Sequence, residues 1–151
     1  MDDHAIPDGS LHLSRPAHPA QLGYIRARVQ GWAQQHRVPE GVLIDLQLAL
    51  GEAVANGVEH AYTGMTAGTV DVEVRLWRTP QGSRRPDDGV AGPDPPPGGT
   101  ITVRVADHGR WQPPTGSAHR GRGMLVIERL ARNTEIIRGR NGTHVCFEIA
   151  F

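Results

Sequence analysis

Residues 69–78, TVDVEVRLWR, alternate strictly between polar and apolar side chains. Successive side chains of a β-strand point to opposite faces, so this pattern predicts a strand with Val70, Val72, Val74 and Leu76 on one buried face. Residues 100–106, TITVRVA, alternate in the same way. Strands that follow one another along the chain favour a largely antiparallel or mixed sheet with one face covered by other elements.

Other segments supply the remaining elements. Three of them repeat apolar residues every three or four positions and are predicted to be helices: residues 20–36, 40–61 and 123–132. Three more are predicted to be short strands: residues around 10–14, 133–138 and 143–150. The order predicts an α+β fold, a two-layer α/β sandwich with a mixed, mostly antiparallel sheet and helices on one face.

The chain of 151 residues is long enough for one domain, and we expect a single domain over residues 1–151. Half of the 12 prolines fall within residues 79–99, which predicts a long Pro/Gly-rich loop insertion there. The start at Met1 and the acidic leader favour a complete short protein, and a domain of a longer protein is the alternative.

The charged residues exclude several kinds of function. All 16 basic residues are Arg, so every mechanism that needs a catalytic or phosphate-binding Lys is excluded. They balance 16 acidic residues, which argues against a partner held by bulk charge, whether nucleic acid or anionic membrane.

Without an apolar leader or an apolar run of about 18 residues, we expect a cytoplasmic protein. Cys146 stands in an alternating run and is predicted to be a small core residue.

A polar stripe marks the second predicted helix. Glu52, Asn56 and His60 follow one another at four-residue spacing within GEAVANGVEHAY. Carboxylate and amide oxygens one turn apart can share a hard cation with its water shell. A carboxylate beside a phosphate could also take a proton from an attacking hydroxyl. A solvated polar helix face is the alternative.

Two further segments have residues that suit a nucleotide. In VRVADHGRW, Asp107 follows an apolar strand and could accept a hydrogen bond from an exocyclic amine such as adenine N6, while Gly109 would let the backbone approach a flat ring. In RGRGM, residues 120–124, glycines precede a helix whose N-terminus favours an anion. An ordinary Asp-x-Gly turn and a solvated loop are the alternatives.

Taken together and in this order, these segments resemble the Bergerat ATP-binding fold of gyrase, heat-shock chaperones, histidine kinases and MutL (the GHKL superfamily). Within it, the chain resembles the bacterial anti-sigma-factor serine kinases of the RsbW type. The match covers roughly residues 10–151 and depends on four segments: LALGEAVANGVEHAY, VADHGRW, RGRGMLVIERLA and GTHVCFEI.

The resemblance implies a role for particular residues. Glu52 matches the general base, and Asn56 matches the ligand of Mg²⁺. Asp107, supported by Gly109, matches the aspartate that binds adenine. The remaining residues implied to bind ATP are Arg26, Gly121, Gly123, Met124 and Thr143. Arg28 is an alternative to Arg26 on the same helix. In this family a lid lies near the phosphates, and the resemblance places it at about residues 110–122. Trp111 replaces a glycine that many relatives have in this region, which puts the conformation of the lid in question.

The resemblance also implies a function, with ATP and Mg²⁺ as cofactors. The implied protein is a serine/threonine protein kinase and an anti-sigma factor. It would bind a sigma factor, phosphorylate an anti-anti-sigma factor of the STAS type and form a homodimer. The alternatives are an ATP-binding regulatory module with little kinase activity, the kinase-like domain of a larger sigma-regulating phosphatase, and a module that sequesters a regulator without nucleotide.

Overall fold

The computed structural model describes residues 6–60, 68–78, 98–108, 122–139 and 142–151. Within them the strands are β1 (Gly9–Pro16), β2 (Thr69–Arg78), β3 (Gly99–Asp107), β4 (Arg132–Gly139) and β5 (Gly142–Ala150). The helices are α1 (Gln21–Gln35), α2 (Glu40–His60) and α3 (Arg122–Leu130). Each predicted element is present, with ends that differ from the prediction by at most two residues. Most of the proline-rich segment, residues 79–97, lies outside the described residues.

The five strands form one sheet in the order β1-β2-β3-β5-β4. All the described strand pairs are antiparallel. Contacts of α2 with β2, β3 and β5, of α1 with β1 and of α3 with β4 place the helices over the sheet. The predicted α+β two-layer architecture is therefore confirmed, and the sheet is antiparallel throughout its described strands.

The core lies between the sheet and the helices. The alternating apolar residues of the strands form its floor, with Val72, Val74 and Ile101 fully buried. The apolar residues of α2 cover the other side of the core, and Leu46 and Leu50 are both 0% exposed. Burial of such side chains is worth about 1.5–3 kcal/mol each, so this layer dominates the stability of the fold.

The prediction that Cys146 belongs to the core is wrong. The residue is only partly buried and pairs with Arg104 of β3 and Glu135 of β4. Its neighbours in β5, Val145 and Phe147, point into the core, so the side chain between them must point to the outer face. Burial raises the pKa of the Cys146 thiol, and the nearby Glu135 and Glu73 raise it further against the opposing charge of Arg104.

Within the described residues, one helix is long and apolar enough to span a membrane by length and composition alone. Residues Glu40–Val58 of α2 have a mean hydropathy of 1.2, and 39% of this window is buried inside the domain. The core helix of a soluble protein passes the same test. Leu46 and Leu50 of this window are buried in the core, so part of its hydropathy belongs to the core.

Candidate functional site

The end of β3 and the start of β5 meet at one edge of the sheet, because the two strands are antiparallel neighbours. Asp107 pairs there with Thr143, and both residues are 7% exposed. The backbone N–H of Thr143 donates a hydrogen bond to Oδ1 of Asp107 at 3.3 Å. A buried carboxylate is costly unless it is hydrogen-bonded, so this bond stabilises Asp107 in a fixed position.

The close approach of the two strands requires a glycine. Gly142, the first residue of β5, has a φ of +145°. A Cβ on this residue would stand 2.0 Å from the carbonyl oxygen of Asp107. No other residue type fits this backbone conformation and this distance. The glycine of the Gly-Thr pair therefore places Thr143 against the Asp107 carboxylate.

The other oxygen of Asp107 faces α2. A Cβ on Gly57 would lie 3.7 Å from Oδ2 of Asp107 and 3.7 Å from Val70. Gly57 is buried, and Asn56 beside it is half-buried. The second half of α2 therefore passes directly over the Asp107 carboxylate, and Asn56 lies next to that contact along the helix.

One turn earlier on α2, Glu52 meets the start of α3. The Glu52 side chain is exposed, and a Cβ on Gly123 would stand 2.8 Å from its Oε2. The first turn of α3 therefore approaches Glu52 as closely as a residue without a side chain allows. The N–H groups of a helix N-terminus and the helix dipole favour an anion, so a phosphate could lie beside this carboxylate.

The structure distinguishes between the two arginines of α1. A Cβ on Gly51 would stand 2.7 Å from Nη2 of Arg26, so this guanidinium lies against α2 at the residue that precedes Glu52. The side-chain amide of Gln47 donates to the carbonyl oxygen of Arg26 at 2.9 Å and joins the two helices. Arg28 instead donates to the hydroxyl of Tyr24 at 2.9 Å. Of the two arginines, Arg26 is the one whose guanidinium lies against α2, and its role in binding a nucleotide stays a prediction.

A divalent cation fits this site if the nucleotide supplies most of its ligands. Among the described residues, no three His, Cys, Asp or Glu side chains come together to hold a metal. Mg²⁺ is usually bound by one or two protein oxygens together with phosphates and water. The amide oxygen of Asn56, one helical turn from Glu52, is the protein ligand that this donor set offers.

Some predicted site residues lie outside the described part of the chain. Gly109, Trp111 and Gly121 belong to this group, as do residues 110–121 of the lid that was predicted over residues 110–122. Met124 is described and is half-buried against the core. The contributions of Gly109 and Gly121 to a nucleotide site stay predictions.

On the outer face of the sheet, His108 follows directly after Asp107. Its Nε2 lies 2.9 Å from Oδ2 of Asp71 on β2. Burial raises the pKa of Asp71, but hydrogen bonds from Ser14 and His108 and the charges of His108 and His12 lower it by more. The net effect is a pKa below the usual value, which favours the ionised carboxylate at this end of β3.

The site has two chemically different ends. Gly57 and Glu52 are five residues apart, or about 7.5 Å along a helix that rises 1.5 Å per residue. The Asp107 carboxylate at one end can accept a hydrogen bond from an amine, and the N-terminus of α3 with Arg26 at the other can attract an anion. The arrangement suits an elongated ligand with an amine at one end and phosphates at the other.

The packing roles of three glycines near this site cannot be predicted from the sequence pattern. Gly142 is required because the backbone of Asp107 occupies the space of a side chain, and Gly51 leaves room for the end of the Arg26 side chain. A Cβ on Gly57 would make only ordinary van der Waals contacts with Asp107 and Val70. The sequence motifs include Gly51 and Gly142. The close approach of Arg26 to the first and of Asp107 to the second explains why glycines stand at these positions.

The matching family is described as the histidine kinase-like ATPase domain, and it matches residues 15–149. The chain belongs to this family. It is 29% identical over 81 residues to the serine-protein kinase RsbW of Listeria innocua serovar 6a, which covers 54% of this chain and 52% of the relative. It is 31% identical over 67 residues to RsbW of Bacillus licheniformis, which covers 44% of this chain and 42% of the relative. The chain thus spans about half the length of the curated relatives that it matches.

The fold is also found in a solved structure. The structure of the RsbU and RsbW domains of Rv1364c from Mycobacterium tuberculosis matches 96% of this chain and 34% of that chain, with a TM-score of 0.65 and 20% identity. At this identity the likeness bears on the fold alone.

Proposed function

We propose that the protein is an ATP-dependent serine/threonine protein kinase that also acts as an anti-sigma factor. It would bind a sigma factor as a homodimer in the cytoplasm and phosphorylate a serine of a STAS-type anti-anti-sigma factor. Support comes from the family, from the relatives named serine-protein kinase RsbW and from the polar groups that converge beside α2.

Each residue of the site has a proposed part in binding ATP. Asp107, held by Thr143, would accept a hydrogen bond from the amine of adenine, and Gly57 leaves room beside its carboxylate. The N–H groups at the start of α3 and the Arg26 guanidinium would bind phosphate oxygens. Asn56 would hold Mg²⁺, which neutralises phosphate charge when bound.

Glu52 is the proposed general base. Its carboxylate would orient the serine hydroxyl towards the γ-phosphate and accept its proton, while the serine oxygen bonds to the γ-phosphorus and the bond from that phosphorus to ADP, the leaving group, breaks. Positioning and electrostatic stabilisation supply most of the catalysis in phosphoryl transfer. The observation that carries the proposal is that Glu52 lies against Gly123, at the helix terminus where the terminal phosphate would bind.

Incubation with labelled ATP, Mg²⁺ and the STAS-domain proteins encoded in the same genome tests the proposal. Phosphate should appear on a serine of one of them. Glu52→Gln should lower the rate by about 10²–10⁴-fold with little change in ATP affinity, as expected for loss of a general base. Asn56→Ala should lose both transfer and Mg²⁺-dependent ATP binding. Glu128→Gln, an exposed position on α3, is the matched control.

A second candidate is a regulatory ATP-binding domain that forms part of a larger sigma-regulating phosphatase. The Mycobacterium tuberculosis structure, in which RsbU and RsbW domains are joined in one chain, favours this possibility. ATP binding without transfer to any STAS-domain protein, and with Glu52→Gln indistinguishable from the unchanged chain, would support it over the kinase.

A further inference from the structure

Exposed apolar side chains lie on the two helices that meet at Glu52. Six large apolar residues are well exposed in the described part of the chain, and three of them lie on the two helices that meet at Glu52. Ile44 is 54% exposed and Leu48 is 46% exposed, both on α2, and Leu125 on α3 is 53% exposed. Single exposed apolar residues are ordinary, but a group beside a reactive carboxylate calls for an explanation.

The two α2 residues share one face of the helix with Glu52. Ile44, Leu48 and Glu52 follow one another at four-residue spacing, which aligns side chains along a helix. The residues that face the sheet, Leu46 and Leu50, are 0% exposed. Ile44 and Leu48 therefore contribute nothing to the core and point away from the sheet.

Leu125 does not belong to this group, although its helix packs on α2. It stands two residues after Gly123, which lies against Glu52, so its side chain points to nearly the opposite side of α3. We call Ile44 and Leu48 the apolar patch.

We propose that the apolar patch docks the protein that carries the acceptor serine. This inference rests on the proposed kinase function and names the surface that would recognise the substrate. A protein substrate must bring its hydroxyl to Glu52, so its surface must cover the residues around Glu52. No small-molecule acceptor would need apolar side chains at this distance.

The size of a protein interface supports this occupant. A stable interface buries about 800 Å² on each partner, which corresponds to a disc of about 16 Å radius. Leu48 and Ile44 lie about 6 and 12 Å from Glu52 along the helix axis, at 1.5 Å per residue. Both fall within an interface centred on Glu52. The substrate should therefore present apolar side chains at about these distances from its serine.

The double variant Ile44→Asp/Leu48→Asp of the full chain tests the proposal. Both side chains are exposed, so the fold should survive, and an unfolding curve checks this. Ile137→Asp is the matched control, because Ile137 is 51% exposed and lies on the edge strand β4, where it pairs with His144 of β5. If the double variant is less stable, Ile44→Ser/Leu48→Ser keeps the test without adding charge.

The substrates are the STAS-domain proteins encoded in the same genome. The KM for the one that is phosphorylated should rise at least about ten-fold in the double variant, the scale expected when interface anchors are lost. The kcat and the affinity for ATP should not change, and Ile137→Asp should behave as the unchanged chain. An unchanged KM would overturn the proposed docking role of the patch and would not contradict the proposed kinase function.

Binding in ADP and Mg²⁺ separates the two proposals. Suppose that no phosphate is transferred but that a STAS-domain protein binds, and that binding weakens at least about ten-fold in the double variant. The proposed kinase function is then wrong, and the proposed docking surface is supported. If no STAS-domain protein binds, or binding is unaffected, the docking surface is wrong. Loss of self-association alone in the double variant would assign the patch to a second copy of the chain and also overturn the proposal.

Discussion

Gly123 lies directly against the carboxylate of Glu52, since a Cβ on residue 123 would stand 2.8 Å from Oε2. The contact joins the first turn of α3 to the middle of α2. It brings together a helix N-terminus, which attracts phosphate, and a carboxylate, which can accept a proton. A single methyl group at this contact is therefore a sharp probe of the proposed chemistry.

Gly123→Ala should displace the Glu52 carboxylate while the domain stays folded, because the displaced atom is the end of an exposed, flexible side chain. A catalytic group misplaced by about 1 Å can cost about a hundred-fold in rate. We expect serine phosphorylation to fall by about this factor. The control is Gly41→Ala, where a new Cβ meets nothing within 4 Å on the same helix α2. A normal rate in Gly123→Ala would contradict the role of Glu52.

Gly51→Ala should act through Arg26. The new Cβ would stand 2.7 Å from Nη2 of Arg26, so the guanidinium must leave its place across α2. Alanine also raises helix propensity by about 1 kcal/mol, so the free energy of unfolding should stay the same or rise. We expect ATP to bind about ten-fold more weakly, the scale of a hydrogen bond to a charged group. Arg26→Ala should have the same effect.

A double variant decides whether the effect of Gly51→Ala passes through Arg26. If Gly51→Ala and Arg26→Ala weaken ATP binding by the same route, the double variant binds ATP no worse than either single variant. Additive losses, measured by titration with ATP, would mean that Arg26 does not act at this position.

Gly142→Ala should destabilise the whole domain. Its φ of +145° disfavours any side chain, and its Cβ would stand 2.0 Å from the carbonyl oxygen of Asp107. This atom is backbone and cannot move aside as a side chain can. We expect a loss of about 3 kcal/mol or more in the free energy of unfolding, measured with urea. Gly139→Ala, whose Cβ would stand 3.5 Å from the nearest carbonyl oxygen, should change it little.

The fold followed from the sequence because periodicity reports directly on which side chains are buried. The strict alternation of residues 69–78 and 100–106 gave β2, β3 and their buried faces. The same rule explains the error at Cys146. A residue between Val145 and Phe147 must point away from the core, and its apolar character could not change this.

The sequence predicts residue types for the candidate site but not the contacts between them. Both Arg26 and Arg28 lie on exposed positions of α1, and periodicity cannot tell them apart. Arg28 donates a hydrogen bond to Tyr24, four residues earlier on the same helix, whereas Arg26 lies against Gly51 on the neighbouring helix. The approach of Arg26 to Gly51 depends on tertiary packing, which local pattern does not record.

Asp107→Asn should weaken ATP binding by about 1–3 kcal/mol, the cost of a lost hydrogen bond to a charged group. The hydrogen bond from Thr143 to Oδ1 should hold the amide in nearly the same place, so stability should change less than affinity. Titration with ATP measures the loss. Asp71→Asn, on the neighbouring strand and the outer face, is the matched control. Equal affinities in the two variants would mean that adenine is not bound by Asp107.

Asp71 should make stability depend on pH in the acid range. Its pKa in the folded protein lies below the ordinary 3.8, because the hydrogen bonds from Ser14 and His108 and the charges of His108 and His12 outweigh burial. A carboxyl whose folded pKa is depressed contributes stability above its unfolded pKa and loses that stability as pH falls through the folded pKa. The Asp71 side chain is 29% exposed, so the contribution should be about 1 kcal/mol or less. Urea unfolding of the unchanged chain and of Asp71→Asn should differ above pH 3.8 and converge as the pH falls below it. A difference that persists at lower pH would assign the effect to packing, since a protonated Asp71 closely matches asparagine in charge and size.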